Sequence, residues 1–297
     1  MSVLGDFDWS WRGVRVRATG AKIAFNPALA WDVWRGGLYI CVEAVRSAFR
    51  KRDIDIAFQP VAPRPWYLVW ATIAQGGFRA KDIARVALVF DDSTYSAQID
   101  TGAELTLNGD CTDISKSRVA EVFREIFGYD LSLNPATATA PYLEKGEING
   151  VHDGVIRLDP APVKPDRVYQ HLTDNRTEDG TVLDYRCPTV FGDIPLVFLK
   201  ERPEARRFDN LNTRVRLSTP EAHFSEDERL RISAFCAAMG LDWGGLDILR
   251  DAKTDRLYIV DVNKTDMGPP LALPLRHKLR AVKTLGLALR KAVIARL

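Results

Sequence analysis

The spacing of apolar positions changes several times along the chain, and each change marks an element. "WSWRGVRVRATG" alternates like a short strand, whereas "AWDVWRGGLYICVEAVRSAFRKRD" has a helical apolar rhythm interrupted by Gly36 and Gly37. Past the proline-rich "QPVAPRP", Trp66 to Gln75 predicts a helix stopped by Gly76 and Gly77, and "RVALVF" predicts a buried strand. "DISKSRVAEVFREIFG" opens on a capping Asp113 or Ser115, keeps helical spacing and closes at Gly128. From residue 141 the periods shorten. "PYLEKGEINGVHDGVIRL" reads as two strands around a glycine-containing turn, and "VYQHL", "TVLDYRCPTVFG" and "IPLVFLKER" read as further strands. "SEDERLRISAFCAAMG" is a helix with an acidic first turn, "GGLDILRD" and "RLYIVDVN" form a strand pair, and Arg276 to Leu297 is an amphipathic basic helix.

Composition narrows the class. The 297 residues are 46% hydrophobic and 27% charged, an ordinary globular balance, and the formal net charge of +2 gives no argument for nucleic acid or a membrane surface. Cys41, Cys111, Cys187 and Cys236 are scattered without metal-site spacing, which favours a reduced interior. Neither a secretory signal nor an apolar run of about 20 residues is present, so the expectation is a cytoplasmic protein with no membrane span. The Trp and Arg content of the first 60 residues also suits an interfacial helix. Packing on its own domain is preferred there, because the charges are too few for tight lipid binding.

Candidate chemistry concentrates in "GLDILRDAKTDRLYIVDVNKTDMGPP". Residues two apart on a strand share a face, so Asp261 and Asn263 project together. If "GLDIL" is the antiparallel neighbour, Asp247 joins them across a hairpin. Three hard oxygen donors suit a magnesium ion bridging nucleotide phosphates, with manganese as the alternative ion. The solvent face of an edge hairpin would carry the same polar residues.

The order of motifs over roughly residues 108 to 275 resembles the ATP-grasp superfamily. The resemblance implies an α+β fold with two β-rich lobes closing on ATP, and places Asp247, Asp261 and Asn263 at the metal positions, although the family more often has Glu where this chain has Asp261. It implies phosphate-binding roles for Lys116 and Lys145, with Gly146, Gly150 and Gly154 in a phosphate-covering loop that also holds Asn149, His152 and Asp153. Those last three either contact substrate or shape the turn. Gln170, His171 and Leu172 fall where the family pairs with adenine, mainly through the backbone. Asp184 and Arg186 match its Asp-x-Arg, the acid toward ribose and the Arg toward phosphate or a substrate carboxylate. Arg207 with Asn210 or Asn212 matches the pair that stabilises the transferred phosphoryl group, with Lys200 and Arg202 as neighbours. Lys264 and Asp266 follow the metal positions and could read a substrate carboxylate or zwitterion, or pair with each other.

These assignments predict an α/β region at residues 1–107 and an ATP-grasp unit at 108–297, divided into lobes at 108–172 and 173–275 and a terminal helix at 276–297. The expected activity is Mg-ATP-dependent joining of a small-molecule or peptide carboxylate to an amine. A kinase on the same scaffold and a non-catalytic nucleotide-binding module are the alternatives. No G-x-S-x-G elbow or Cys and His catalytic pair competes with this reading. Nothing in the sequence decides the oligomeric state, and a homodimer is compatible with it.

Overall fold

The computed structural model describes residues 7–10, 13–16, 22–24, 27–139, 141–150, 153–207 and 212–297. An antiparallel meander comes first: β1 (Phe7–Ser10), β2 (Gly13–Val16) and β3 (Lys22–Ala24). Helix α1 (Pro27–Ala48) follows without a break at Gly36 and Gly37. It leads into a four-stranded parallel sheet of β4 (Ile54–Pro60), β5 (Phe78–Ala80), β6 (Val86–Phe90) and β7 (Leu105–Leu107), in the order β5-β4-β6-β7. Helix α2 (Leu68–Gln75) connects β4 to β5. Every residue of β6 is buried, as a central parallel strand covered on both faces requires.

The rest is β-rich. Helix α3 (Lys116–Phe127) is capped by the Ser115 hydroxyl, which accepts from the Arg118 amide, and ends at Gly128 in the left-handed conformation. The first lobe is the sheet β10-β8-β9, made of β8 (Tyr142–Gly146), β9 (Val155–Arg157) and β10 (Arg167–His171). The second lobe is an antiparallel sheet ordered β13-β12-β11-β14-β15. Its strands are β11 (Thr181–Val190), β12 (Val197–Pro203), β13 (Arg214–Ser218), β14 (Trp243–Arg250) and β15 (Leu257–Asn263). Helix α4 (Glu226–Ala238), with a full capping box between Ser225 and Glu228, covers one face of it together with α3.

The terminal helix α5 (Leu275–Ile294) returns to the N-terminal unit and packs on α2. A Cβ added at Gly286 would lie 2.6 Å from the Gly76 amide nitrogen, so α2 and α5 meet backbone to backbone. That contact explains a glycine inside a helix, where it costs about 1 kcal/mol of propensity. Asn108 stitches the same unit to the second lobe. Its side chain accepts from the Asp242 and Trp243 amides, both at 2.9 Å, and donates to the Trp243 carbonyl at 2.8 Å. No described helix is long and apolar enough to cross a membrane.

Candidate ATP and metal site

The polar face of the second-lobe sheet is assembled by strand register. Arg186 stands opposite Asp247, and Asp247 opposite Asp261, so one cross-strand row reads Arg-Asp-Asp. One step along, Asp184 stands opposite Lys200. A bulge between the Asp247 and Ile248 pairings sharpens this face, because Ile248 pairs with Ile259 and leaves Val260 as the extra residue. Strict alternation would place Ile259 on the face of Asp261. The bulge instead sends Ile259 into the core beside Val262, while Asp261 and Asn263 keep to the cleft.

Charges on this face are tightly coupled. Asp247 accepts from Arg186 Nη1 at 2.9 Å and from Lys200 Nζ at 3.2 Å. Burial would raise its carboxyl, but the two cations outweigh burial and hold it well below the usual carboxylate range. Arg186 also pairs with Asp266, which is 3% exposed. Burial opposes the Arg186 charge, and Asp247 and Asp266 more than offset it, leaving the guanidinium raised. Asp261 differs: burial pushes its carboxyl up, and its Oδ1 is buried without a hydrogen-bond partner. An orphaned carboxylate oxygen beside an amide oxygen two residues on is a donor set suited to a hard cation. The Asn263 Oδ1 accepts from the Thr265 amide at 2.9 Å. Among the described residues no three His, Cys, Asp or Glu side chains cluster as a metal site. The set here is two carboxylates and an amide.

The first lobe supplies the opposing charge. Lys116 begins α3 and donates through Nζ to the Ile148 carbonyl at 3.1 Å. Lys145 lies on β8, and burial pushes its ammonium down to about 8, with Asp261 opposing and Lys116 adding to the shift. The turn after Lys145 reaches the other lobe. The Asn149 backbone amide donates to Thr94 Oγ1 at 2.9 Å, and its side-chain Nδ2 donates to the Val262 carbonyl at 2.9 Å. Gly150 there has φ +77°, and Asp153 binds the Gly146 amide at 2.8 Å, which is a turn-shaping contact. Gly154 is half-buried before β9.

Gln170 stands opposite Leu143, and Val168 opposite Lys145, so the Gln170 side chain shares the Lys145 face. Both polar ends of that side chain are buried without a partner. His171 is exposed on the other face, its amide donating to the Leu131 carbonyl at 3.0 Å, and Leu172 is half-buried beyond it.

Other sequence-derived candidates fall in three groups. Asp184 accepts from Asn175 Nδ2 at 2.8 Å and pairs with Arg202. Burial raises its carboxyl, with Arg202 opposing. Arg202 also reaches the Arg207 carbonyl at 2.8 Å and Asn212 Oδ1 at 3.1 Å, so it organises the segment whose Arg207 donates to Thr173 O and Asn175 Oδ1, both at 2.9 Å. Lys264 does not join this face: it is fully buried, with its ammonium on Ser96 Oγ. His152 and Asn210 lie outside the described residues. The organising role of Arg202 had a legible signal, since Lys200 and Arg202 are two apart on one strand opposite Asp184 and Val182.

No family model matches the chain, and no curated protein matches it. Among solved structures, the ATP-grasp ligase PsnB, complexed with a phosphomimetic variant of its minimal precursor, Mg and ADP, is similar at a TM-score of 0.51. The identity is 10%, over 83% of this chain and 99% of that one. A RimK domain ATP-grasp protein from Sphaerobacter thermophilus DSM 20745 gives 0.46 at 10% identity, over 81% and 99%. D-alanine–D-alanine ligase from Bacillus anthracis, complexed with ATP, gives 0.46 at 13%, over 82% and 99%. The chain has the ATP-grasp fold.

Proposed function

We propose that the protein is a Mg-ATP-dependent ligase that activates a carboxylate as an acyl phosphate for attack by an amine. The observation that carries this reading is the Arg186–Asp247–Asp261 row on one sheet, with Lys145 and Lys116 electrostatically coupled to it from the first lobe. Such chemistry needs positioned charge more than a protein nucleophile.

Lys116 and Lys145 bring positive charge to a triphosphate. Asp247 and Asp266 fix the guanidinium of Arg186, so that it meets a transferring phosphoryl group or substrate carboxylate without reorganising. Gln170 offers a donor and an acceptor to a base edge, with Leu172 following at the lobe junction. In this reading Asp184 would hold ribose, and Arg207 with Asn212 would stabilise the transferred phosphoryl group. Asp247, Asp261 and Asn263 would hold magnesium, which when bound neutralises phosphate charge. The PsnB ligase, of the same fold, is complexed with a precursor variant, Mg and ADP, which supports a ligase reading.

The test is incubation with Mg-ATP and pools of carboxylates and amines, following ADP, phosphate and condensed product. ADP with free phosphate and a condensed product is expected. A phosphorylated hydroxyl product would replace the ligase by a kinase, and ATP affinity without turnover would leave a binding module. If Asp261→Ala with Asn263→Ala leaves Mg-dependent nucleotide binding intact, the metal assignment is wrong.

A further inference from the structure

Helix α1 is amphipathic in the reverse sense. Its described buried side chains are Tyr39, Glu43 and Ser47, and its outward residues include Trp31 (58% exposed), Trp34 (55%), Val45 (61%) and, just past its end, Phe49 (86%). Trp31 and Trp34 stack at 5.0 Å on the outer surface. Among the described side chains of α1, each charge is engaged on the protein side. Arg35 donates to the Ala272 carbonyl at 3.1 Å, and Arg46 binds the buried Glu43 at 2.7 Å. The exposed described residues from 33 to 49 are otherwise Val33, Gly37, Leu38, Cys41, Ala44 and Ala48, and none of them is charged. A contiguous run of exposed large apolar side chains of this length is an interaction surface rather than an ordinary solvated one.

The charges sit beside it. Helices α1 and α5 run alongside each other in the same direction: Arg35 reaches Ala272, Lys278 lies 5.8 Å over the Tyr39 ring, and Asp53 just beyond α1 pairs with Arg290 at 2.6 Å. The exposed stripe of α5 contains Arg276, Arg280, Lys283 and Lys291, and no acid occurs from Leu275 to Leu297. Arg50, Lys51 and Arg52, all exposed, follow α1 directly. An apolar, Trp-bearing strip flanked by cations is the chemistry of an anionic lipid surface, where indoles enter the headgroup boundary and basic side chains meet phosphate. A second copy docked on α1 would set two such cationic rims against each other, so charge disfavours a homodimer here.

We propose that α1 and α5 form a peripheral docking face for an anionic bilayer, with α1 lying in the membrane plane. The surface is separate from the nucleotide site and does not depend on its assignment. Flotation of the full chain tests it, using vesicles of phosphatidylcholine alone or mixed with phosphatidylglycerol. Binding to the mixed vesicles and not to phosphatidylcholine is expected, weakening as salt rises. Arg280→Ala with Lys283→Ala lowers the partition coefficient roughly 30-fold, at about 1 kcal/mol per charge. Trp31→Ser with Trp34→Ser abolishes flotation while near-native circular dichroism is kept. No flotation with the mixed vesicles, or undiminished flotation of both variants, overturns the proposal. So does a dimer in sedimentation equilibrium that the tryptophan variant dissociates, since a second copy would then cover the face.

Discussion

The β14–β15 hairpin and helix α1 are both amphipathic, and they enter the molecule in opposite senses. The hairpin turns Leu246, Ile248, Ile259 and Val262 into the core and leaves its acids to the cleft. Helix α1 turns Glu43 and Ser47 inward beside Tyr39 and leaves Trp31, Trp34 and Val45 outside. Periodicity reveals that an element has two faces. Which face is buried depends on what lies opposite, and for α1 the neighbours are Gln75 of α2 and Lys278 of α5. A buried polar face is tolerated where its groups satisfy one another, and an apolar face outside implies something still to be covered.

The largest effect expected is on the hairpin's cleft side. Arg186→Ala should lower kcat roughly 10²–10³-fold, the loss typical of one preorganised charge at a transition state. Asp247 and Asp266 would then lose their shared partner, so a urea titration alongside the kinetics separates lost catalysis from lost folding. Unchanged kcat would remove Arg186 from the reaction. On the core side, Leu246→Ala should cost about 2–5 kcal/mol of unfolding free energy, because Leu246 is fully buried among side chains with little room to collapse. A loss below about 1 kcal/mol would mean the hairpin is not anchored as its burial indicates.

A third effect tests the inward face of α1. Burial raises the Glu43 carboxyl, against the opposing pull of Gln75 and Arg46. The folded state therefore binds this proton more tightly than the unfolded chain, whose ordinary value is about 4.3. Its contribution is fully present below that value and is lost as pH rises through the raised one. Thermal melts across the weakly acidic range should show wild-type stability falling relative to Glu43→Gln, and parallel curves would show that Glu43 is not held raised.

Much of the polar row of the candidate site was legible because strands alternate and charged residues in "GLDIL", "DYR" and "IVDVN" stand out against apolar partners. Register then converted those motifs into one row. Strict alternation failed at Val260, since a bulge is set by the partner strand and leaves no mark of its own. Strands β4, β5, β7 and β13 carried weaker signals, three of the four being short or exposed and β4 running into the proline-rich segment. Gly36 and Gly37 suggested a break that α1 does not make: Gly36 faces Leu271, where a Cβ would stand 3.0 Å from that side chain, so close packing offsets its poor helix propensity. The partner of Asp266 was not readable either, since Arg186 is 80 residues away in the chain.

The smallest effect separates the two elements most cleanly. Trp34 stands half in solvent on α1, so Trp34→Ser removes little packing from the monomer and should change unfolding free energy by no more than about 0.5 kcal/mol. Leu246 is a smaller side chain whose loss costs several times more, because burial and not size decides the energy. Chemical denaturation of both variants in the same buffer, without lipid, measures the contrast. A Trp34→Ser loss approaching that of Leu246→Ala would mean the indole is covered within the folded chain, and the reversed orientation of α1 would have to be abandoned.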